Sequence, residues 1–153
     1  LAAAEPMLAA LRDATGESAQ LFLRRADERI CVAAAERAHG LRDTVPVGSV
    51  LPMNAGSAAQ VLLAWEPPEA YLPLLPRCRF TGKTLAEVRR RGWAYSVAER
   101  EAGVASVSAP VRDRTGRVIA AISVSGPIER MGRRPGEKYA MPVVRAGQRL
   151  SGL

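Results

Sequence analysis

The feature that most narrows the fold is a pair of alternating segments, residues 104–112 and 117–125, separated by Asp113-Arg114-Thr115-Gly116. Two runs of period-two alternation around turn-forming residues predict an antiparallel hairpin. With a four-residue loop, Arg112 faces Arg117 and Ser106 faces Ser123. Side chains alternate between the two faces of a strand. One face then carries Ala105, Val107, Ala109 and Val111 against Val118, Ala120, Ile122 and Val124, and this wholly apolar set belongs on a core. The other face carries Val104, Ser106 and Ser108 against Ile119, Ala121, Ser123 and Ser125. These side chains are small, and hydroxyls both donate and accept hydrogen bonds. Such a face suits the floor of a polar-ligand pocket; it equally suits a closely packed helix or open water. A slip of one residue would scramble the assignment.

The remaining elements build an α+β frame around this hairpin. Residues 5–15 read as a helix, with Pro6 in its first turn and Gly16 just past its end. Leu1, Ala4, Leu8 and Leu11 follow 3-4-3 spacing, which suggests a helix entering from upstream. Residues 18–25 and 29–36 read as a second hairpin turning at Ala26-Asp27-Glu28. Prolines and a glycine break residues 41–52 into short extended pieces. Residues 55–65 read as a helix with Asn54 as N-cap and Ala58, Val61, Leu62 and Trp65 on its buried face. Four prolines limit residues 67–80 to a short helix and a loop. Thr84-Leu85-Ala86-Glu87 reads as a capping box opening a helix that stops at Gly92. Trp93 to Ser96 reads as a short strand, and residues 137–150 as a last helix with Pro142 inside it. Antiparallel pairs with helices segregated to a face predict one antiparallel sheet in a single α+β domain spanning residues 1–153.

Chemistry-bearing patterns are sparse. His39 is the single histidine, so a Ser-His-Asp or Cys-His arrangement would have to use it, and it falls in a loop. There is no GxSxG elbow, no P-loop and no dinucleotide fingerprint. Glu99 and Glu101 lie on a polar stretch and read as solvated. Cys31 and Cys78 form no CxxC pair and have no nearby histidine, so they read as free thiols of a reducing compartment, with no metal site. An enzyme is not expected, nor a cofactor. Net charge is +7, which suits a protein working near nucleic acid, although Arg89-Arg90-Arg91 falls at a helix C-terminus where cations suit the dipole. No apolar run is long enough to span a bilayer and no signal peptide opens the chain. A cytoplasmic protein is expected, and the initial Leu suggests that a further segment precedes it. Met53-Asn54-Ala55-Gly56-Ser57-Ala58 opens a helix, whose free amides favour an anion such as a carboxylate. An ordinary capped helix would read the same way.

Residues 92–113 resemble the IclR family of bacterial regulators. The matching run is Gly92, Ser96, Glu99, Ser106-Val107-Ser108, Val111 and Asp113, with Arg112 in place of the usual aromatic or histidine. Ile122-Ser123-Val124-Ser125-Gly126-Pro127 is similar to the family's next strand. Met53 to Ala64 is similar to its helix start, with Ser57 where many members have lysine. The resemblance implies a GAF-like fold with helices on one face of the sheet and a ligand pocket on the other. It implies a small-molecule effector, an organic acid or amino-acid-related metabolite, and assembly into dimers or tetramers. It also implies operator binding through an upstream winged helix-turn-helix. The family places the effector around the positions of Gly56, Ser96, Ser106, Ser123 and Ser125. Met53, Asn54, Ala55, Ser57, Glu99 and Ser108 join them as candidates. Some acid-binding members have Asp at Ser96 and Cys at Ser106, so a different ligand is implied. Gly16 to Leu21 and Gly103 to Pro110 look similar to an actinobacterial subgroup regulating leucine and other amino-acid biosynthesis. The competing readings are an assembly module with a vestigial pocket and a GAF-like enzyme using Cys31 or Cys78.

Overall fold

The two alternating segments pair as expected, and four further strands join them in one antiparallel sheet of order β3-β2-β1-β6-β5-β4. The fold is a computed structural model that describes residues 3–152, so Leu1 lies outside the described residues. The elements run α1 (Ala4–Thr15), β1 (Ser18–Arg25), β2 (Glu28–Ala35), β3 (Val50–Pro52) and α2 (Ser57–Ala64). They continue with α3 (Pro68–Tyr71), a 3-10 turn (Leu75–Arg77), α4 (Gly82–Arg91) and β4 (Ala94–Val97). The chain closes with β5 (Val104–Arg112), β6 (Val118–Pro127), α5 (Ile128–Met131) and α6 (Gly136–Leu150).

The hairpin register differs from the expected one by two residues. Ser106 faces Ser125 and Ser108 faces Ser123. Because side chains repeat every two residues, the shift keeps the face assignment of the serines and of the apolar set from Ala105 to Val111. The loop pairs Arg112 with Val118 instead of Arg117, which moves the register by one residue, and a bulge moves it by a second. Val111 pairs with Ala120 and Arg112 with Val118, so Ile119 is the extra residue and stands 46% exposed. Beyond the bulge Val118 turns away from the apolar face expected for it and packs on the opposite one. The loop itself is tied by the Asp113 carboxylate, which accepts from the Thr115 amide and hydroxyl and from the Arg117 amide. A second bulge lies at Val32, between the pairs Leu21–Ala33 and Phe22–Cys31. Cys31 and Ala33 are therefore both buried, yet they face opposite sides of the sheet.

Two cores result. On one side Leu8 and Leu11 of α1, with Tyr139 and Val143 of α6, pack on Val107 and Ile122 of the hairpin. Leu8 and Leu11 share a helix face because they lie three apart, and Gly16 stops α1 in a left-handed cap, its amide donating to the Arg12 carbonyl. α6 approaches the sheet so closely that a Cβ on Gly147 would lie 2.6 Å from the Pro110 carbonyl oxygen. On the other side α2, backed by α4, covers Phe22, Cys31 and Ala121. Helices thus cover both faces, and α2 shares the hydroxyl face with the candidate site.

Two caps correct the sequence reading. α2 opens at Ser57 with Gly56 as N-cap, while Asn54 is exposed and caps nothing. Its carbonyl instead accepts from the Arg79 amide, which holds residues 53–56 as a turn outside the helix. The capping box of α4 is formed by Thr81 and Thr84, one turn earlier than Thr84 and Glu87. A hydroxyl at Thr84 fills the reciprocal role that a glutamate usually takes.

Candidate functional site

α2 lies across the hydroxyl face and brings Ser57 down onto it. The Ser57 hydroxyl is 2.6 Å from Ser106 Oγ and 2.7 Å from Ser108 Oγ. Ser106 continues to Ser96 at 2.7 Å, and Ser108 to Ser123 at 2.5 Å. Serines from α2, β4, β5 and β6 form one unbroken chain, Ser96–Ser106–Ser57–Ser108–Ser123. Each hydroxyl has one proton and rotates freely, so the chain reorients as a unit when one member gains a new partner. A second arm starts at Gln20, whose Nε2 donates to Ser125 Oγ at 2.9 Å. Ser125 donates to Asp43 Oδ2 at 2.7 Å, and Arg100 donates to the same oxygen.

Between the two arms lies a cavity of about 20 Å³, walled by Gln20, Phe22, Arg29, Ser57, Ser123 and Ser125. That is the space of a single water molecule. A metabolite enters only if the walls part, and the wall with the least regular structure is the segment 36–49, which carries Asp43 and Val45.

The structure therefore gathers Gly56, Ser57, Ser96, Ser106, Ser108, Ser123 and Ser125 around one polar region. It does not gather all the candidates. Met53 belongs to the apolar cluster under α2, Ala55 is buried, and Asn54 faces solvent. Glu99, read as solvated from sequence, is half-buried and holds the α2 N-terminus. Its carboxylate accepts from the Gly56 amide at 2.9 Å and from Gln60 Nε2 at 3.1 Å. The amide offered to a ligand carboxylate is thus filled by the chain's own Glu99. Gly56 is required here, because its φ of 101° is left-handed backbone that other residues avoid.

Burial raises the Glu99 carboxyl above its ordinary 4.5, and this outweighs the opposing pull of Gly56, Gln60, Arg29 and Arg79. A carboxyl raised on folding contributes stability that is fully present below its unfolded pKa and is lost as pH rises through the folded one. Glu99→Gln removes that dependence. Its stability relative to the parent chain should improve steadily from pH 4.5 upward. Denaturant midpoints across the acid range check this, and a difference independent of pH would refute it.

Four polar residues of the site escaped the sequence reading: Gln20, Arg29, Asp43 and Arg100. Arg29 was detectable in principle, since it shares strand parity with Cys31, two residues along β2. It is 2% exposed, its guanidinium stacks 5.4 Å from the Phe22 ring, and one nitrogen donates to the Pro52 carbonyl. Burial and the neighbouring Arg100 lower its pKa to about 10, which leaves it cationic at neutral pH.

The thiols argue against cysteine chemistry. Burial pushes both Cys31 and Cys78 above the ordinary thiol value, whereas a reactive cysteine needs its thiolate stabilised. His39 is exposed. Among the described residues no helix is long and apolar enough to cross a membrane. A wider apolar groove of about 360 Å³ runs between α1 and α6 and lacks the hydroxyl cluster.

Residues 1–152 match the family described as the bacterial transcriptional regulator IclR C-terminal domain. The chain is 31% identical to the HTH-type transcriptional regulator BhcR of Paracoccus denitrificans, over 97% of this chain and 58% of that protein. It is 28% identical to the transcriptional repressor IclR of Escherichia coli, over 99% of this chain and 61% of that protein. Among solved structures it is similar to the C-terminal domain of a Vibrio cholerae regulator, with a TM-score of 0.84 and 28% identity. That match covers 96% of this chain and 93% of the other. A Rhodococcus regulator, RHA06195, matches with a TM-score of 0.87 at 27% identity, over 96% of this chain and 65% of that one. The chain spans little more than half the length of the curated relatives it matches. Those relatives are regulators and repressors of transcription, not enzymes. With its GAF-like α+β sheet, the chain belongs to the IclR family of bacterial transcriptional regulators and corresponds to their C-terminal domain.

Proposed function

We propose that this domain senses a small organic acid or amino-acid-related metabolite in the cavity beneath α2. The observation that carries the reading is the serine chain, which gathers five hydroxyls from four separate elements onto one buried wall. Buried hydroxyls at that density are unusual for a face whose only task is packing, because apolar residues fill space without needing partners. The similarity of residues 16–21 and 103–110 to regulators of amino-acid biosynthesis favours an amino-acid-related ligand.

Binding parts the cavity walls and shifts the balance between two arrangements of a homodimer or tetramer. Winged helix-turn-helix domains upstream of this domain then meet operator DNA differently, in the cytoplasm. Thermal unfolding against amino acids and small carboxylates tests the reading. A ligand at a hundredfold its Kd should add about 2.7 kcal/mol of stability. The gain should vanish in Ser123→Val, which cuts the serine chain at its end. An oligomer that no compound stabilises would favour an assembly module without a working pocket.

A further inference from the structure

Arg29 is a buried cation with no ion-pair partner among the described residues; Glu99 acts on it only from beyond ion-pair distance. Among the described residues every other deeply buried charge is answered: Glu17 by Arg130, Asp43 by Arg100. Arg29 forms no ion pair, and its Nε, fully buried, has no hydrogen-bond partner. Its surroundings hold it in place without neutralising it. The Phe22 ring lies beneath the guanidinium, the Pro52 carbonyl takes one proton, and the bare Cα of Gly56 leaves room for a terminal nitrogen. A Cβ on Gly56 would stand 3.1 Å from that nitrogen. The guanidinium also forms part of the wall of the polar cavity, beside Ser57 and Ser125.

A planar guanidinium with a free Nε offers a carboxylate the side-on, two-nitrogen grip that this group makes best. Glu99 and Asp43, the carboxylates of this region, are already held by other groups. Glu99 sits on Gly56 and Gln60, and Asp43 on Ser125 and Arg100. We propose that Arg29 is the anchor for the effector's carboxylate, donating to it through Nε and a terminal nitrogen while the hydroxyls of Ser57 and Ser125 read the rest of the molecule. This rests on the sensor reading above and adds to it the residue that holds the ligand's acid group and so selects acids over neutral molecules. Neutral analogues of the same shape are rejected because they leave Arg29 buried and unanswered.

The test uses acetate, pyruvate and L-leucine, each beside its neutral amide, with sodium chloride matching ionic strength. Melting temperature and calorimetric titration are read on the parent chain and on Arg29→Met and Arg29→Lys. At least one acid should raise the melting temperature of the parent chain with saturation, and its amide should not. Arg29→Met should weaken that acid's binding on the order of a hundredfold. Arg29→Lys keeps the charge but not the fork, and should recover part of the loss. The ligand-free Arg29→Met protein should melt no lower than the parent, since an unanswered buried charge is replaced by an apolar chain of similar length. A purely structural arginine would melt lower and bind normally. An amide that binds as well as its acid, or undiminished acid binding by Arg29→Met, overturns the anchor and leaves the sensor standing. No response to any acid or amide takes down both.

Discussion

Replacing Arg130 with methionine should destabilise the chain by about 3 kcal/mol, one of the two largest losses expected from a single substitution here. Glu17 is 1% exposed and takes both Nε and a terminal nitrogen of Arg130, at 2.5 and 2.7 Å. The pair holds the Arg130 pKa above its ordinary value, chiefly through the Glu17 hydrogen bonds. Without Arg130 the carboxylate stays buried with no cation. Glu17 Oε1 is packed so tightly over Gly126, where a Cβ would stand only 2.4 Å away, that the carboxylate has little room to swing toward another partner. Arg130 also donates to the Leu41 carbonyl, so the loss reaches the segment that carries Asp43. Urea unfolding measures the effect. The double change Glu17→Met with Arg130→Met should recover most of it, since an apolar pair leaves no charge behind. A single-variant loss under about 1 kcal/mol would place the pair with ordinary surface bridges.

Leu8→Ala should cost a similar amount, about 3 kcal/mol, for a different reason. Leu8 is fully buried, and it faces the sheet from the middle of α1. Truncation removes its transfer free energy and leaves a cavity that α1 and α6 cannot close without moving off the sheet. The midpoint of unfolding should fall while the denaturant slope stays the same. A loss below about 1 kcal/mol would mean that α1 repacks or is only loosely docked.

These two residues mark the limits of what the sequence reveals. Leu8 is legible because its periodicity with Leu11 and the stop at Gly16 are local. The Arg130–Glu17 pair joins positions 113 apart and leaves no local trace. The same division runs through the site. The serines of β5 and β6 were placed on one face correctly, despite a register two residues off, because that error is a whole period of the strand. Val118 was misplaced because the bulge at Ile119 breaks the period. Asn54 reads as a cap because it is a residue type that caps well. Gly56 caps α2 because the Arg79 amide draws the Asn54 carbonyl out of the helix.

The α+β class, the two hairpins, and the apolar and hydroxyl faces are legible in the amino-acid order alone. Each follows from short-range periodicity, turn chemistry or spacing, which act over a few residues. The three-dimensional packing is what joins Ser57 to the two strands' serines in one chain and sets Glu99 on the α2 amide. It alone brings Asp43 to Arg100 across 57 positions and buries Arg29 without an ion-pair partner. Those outcomes depend on where α2 lands on the sheet, where the bulges fall and how the segment 36–49 crosses it. Such long-range geometry is set by the packing of the whole chain, and no stretch of the sequence carries it alone.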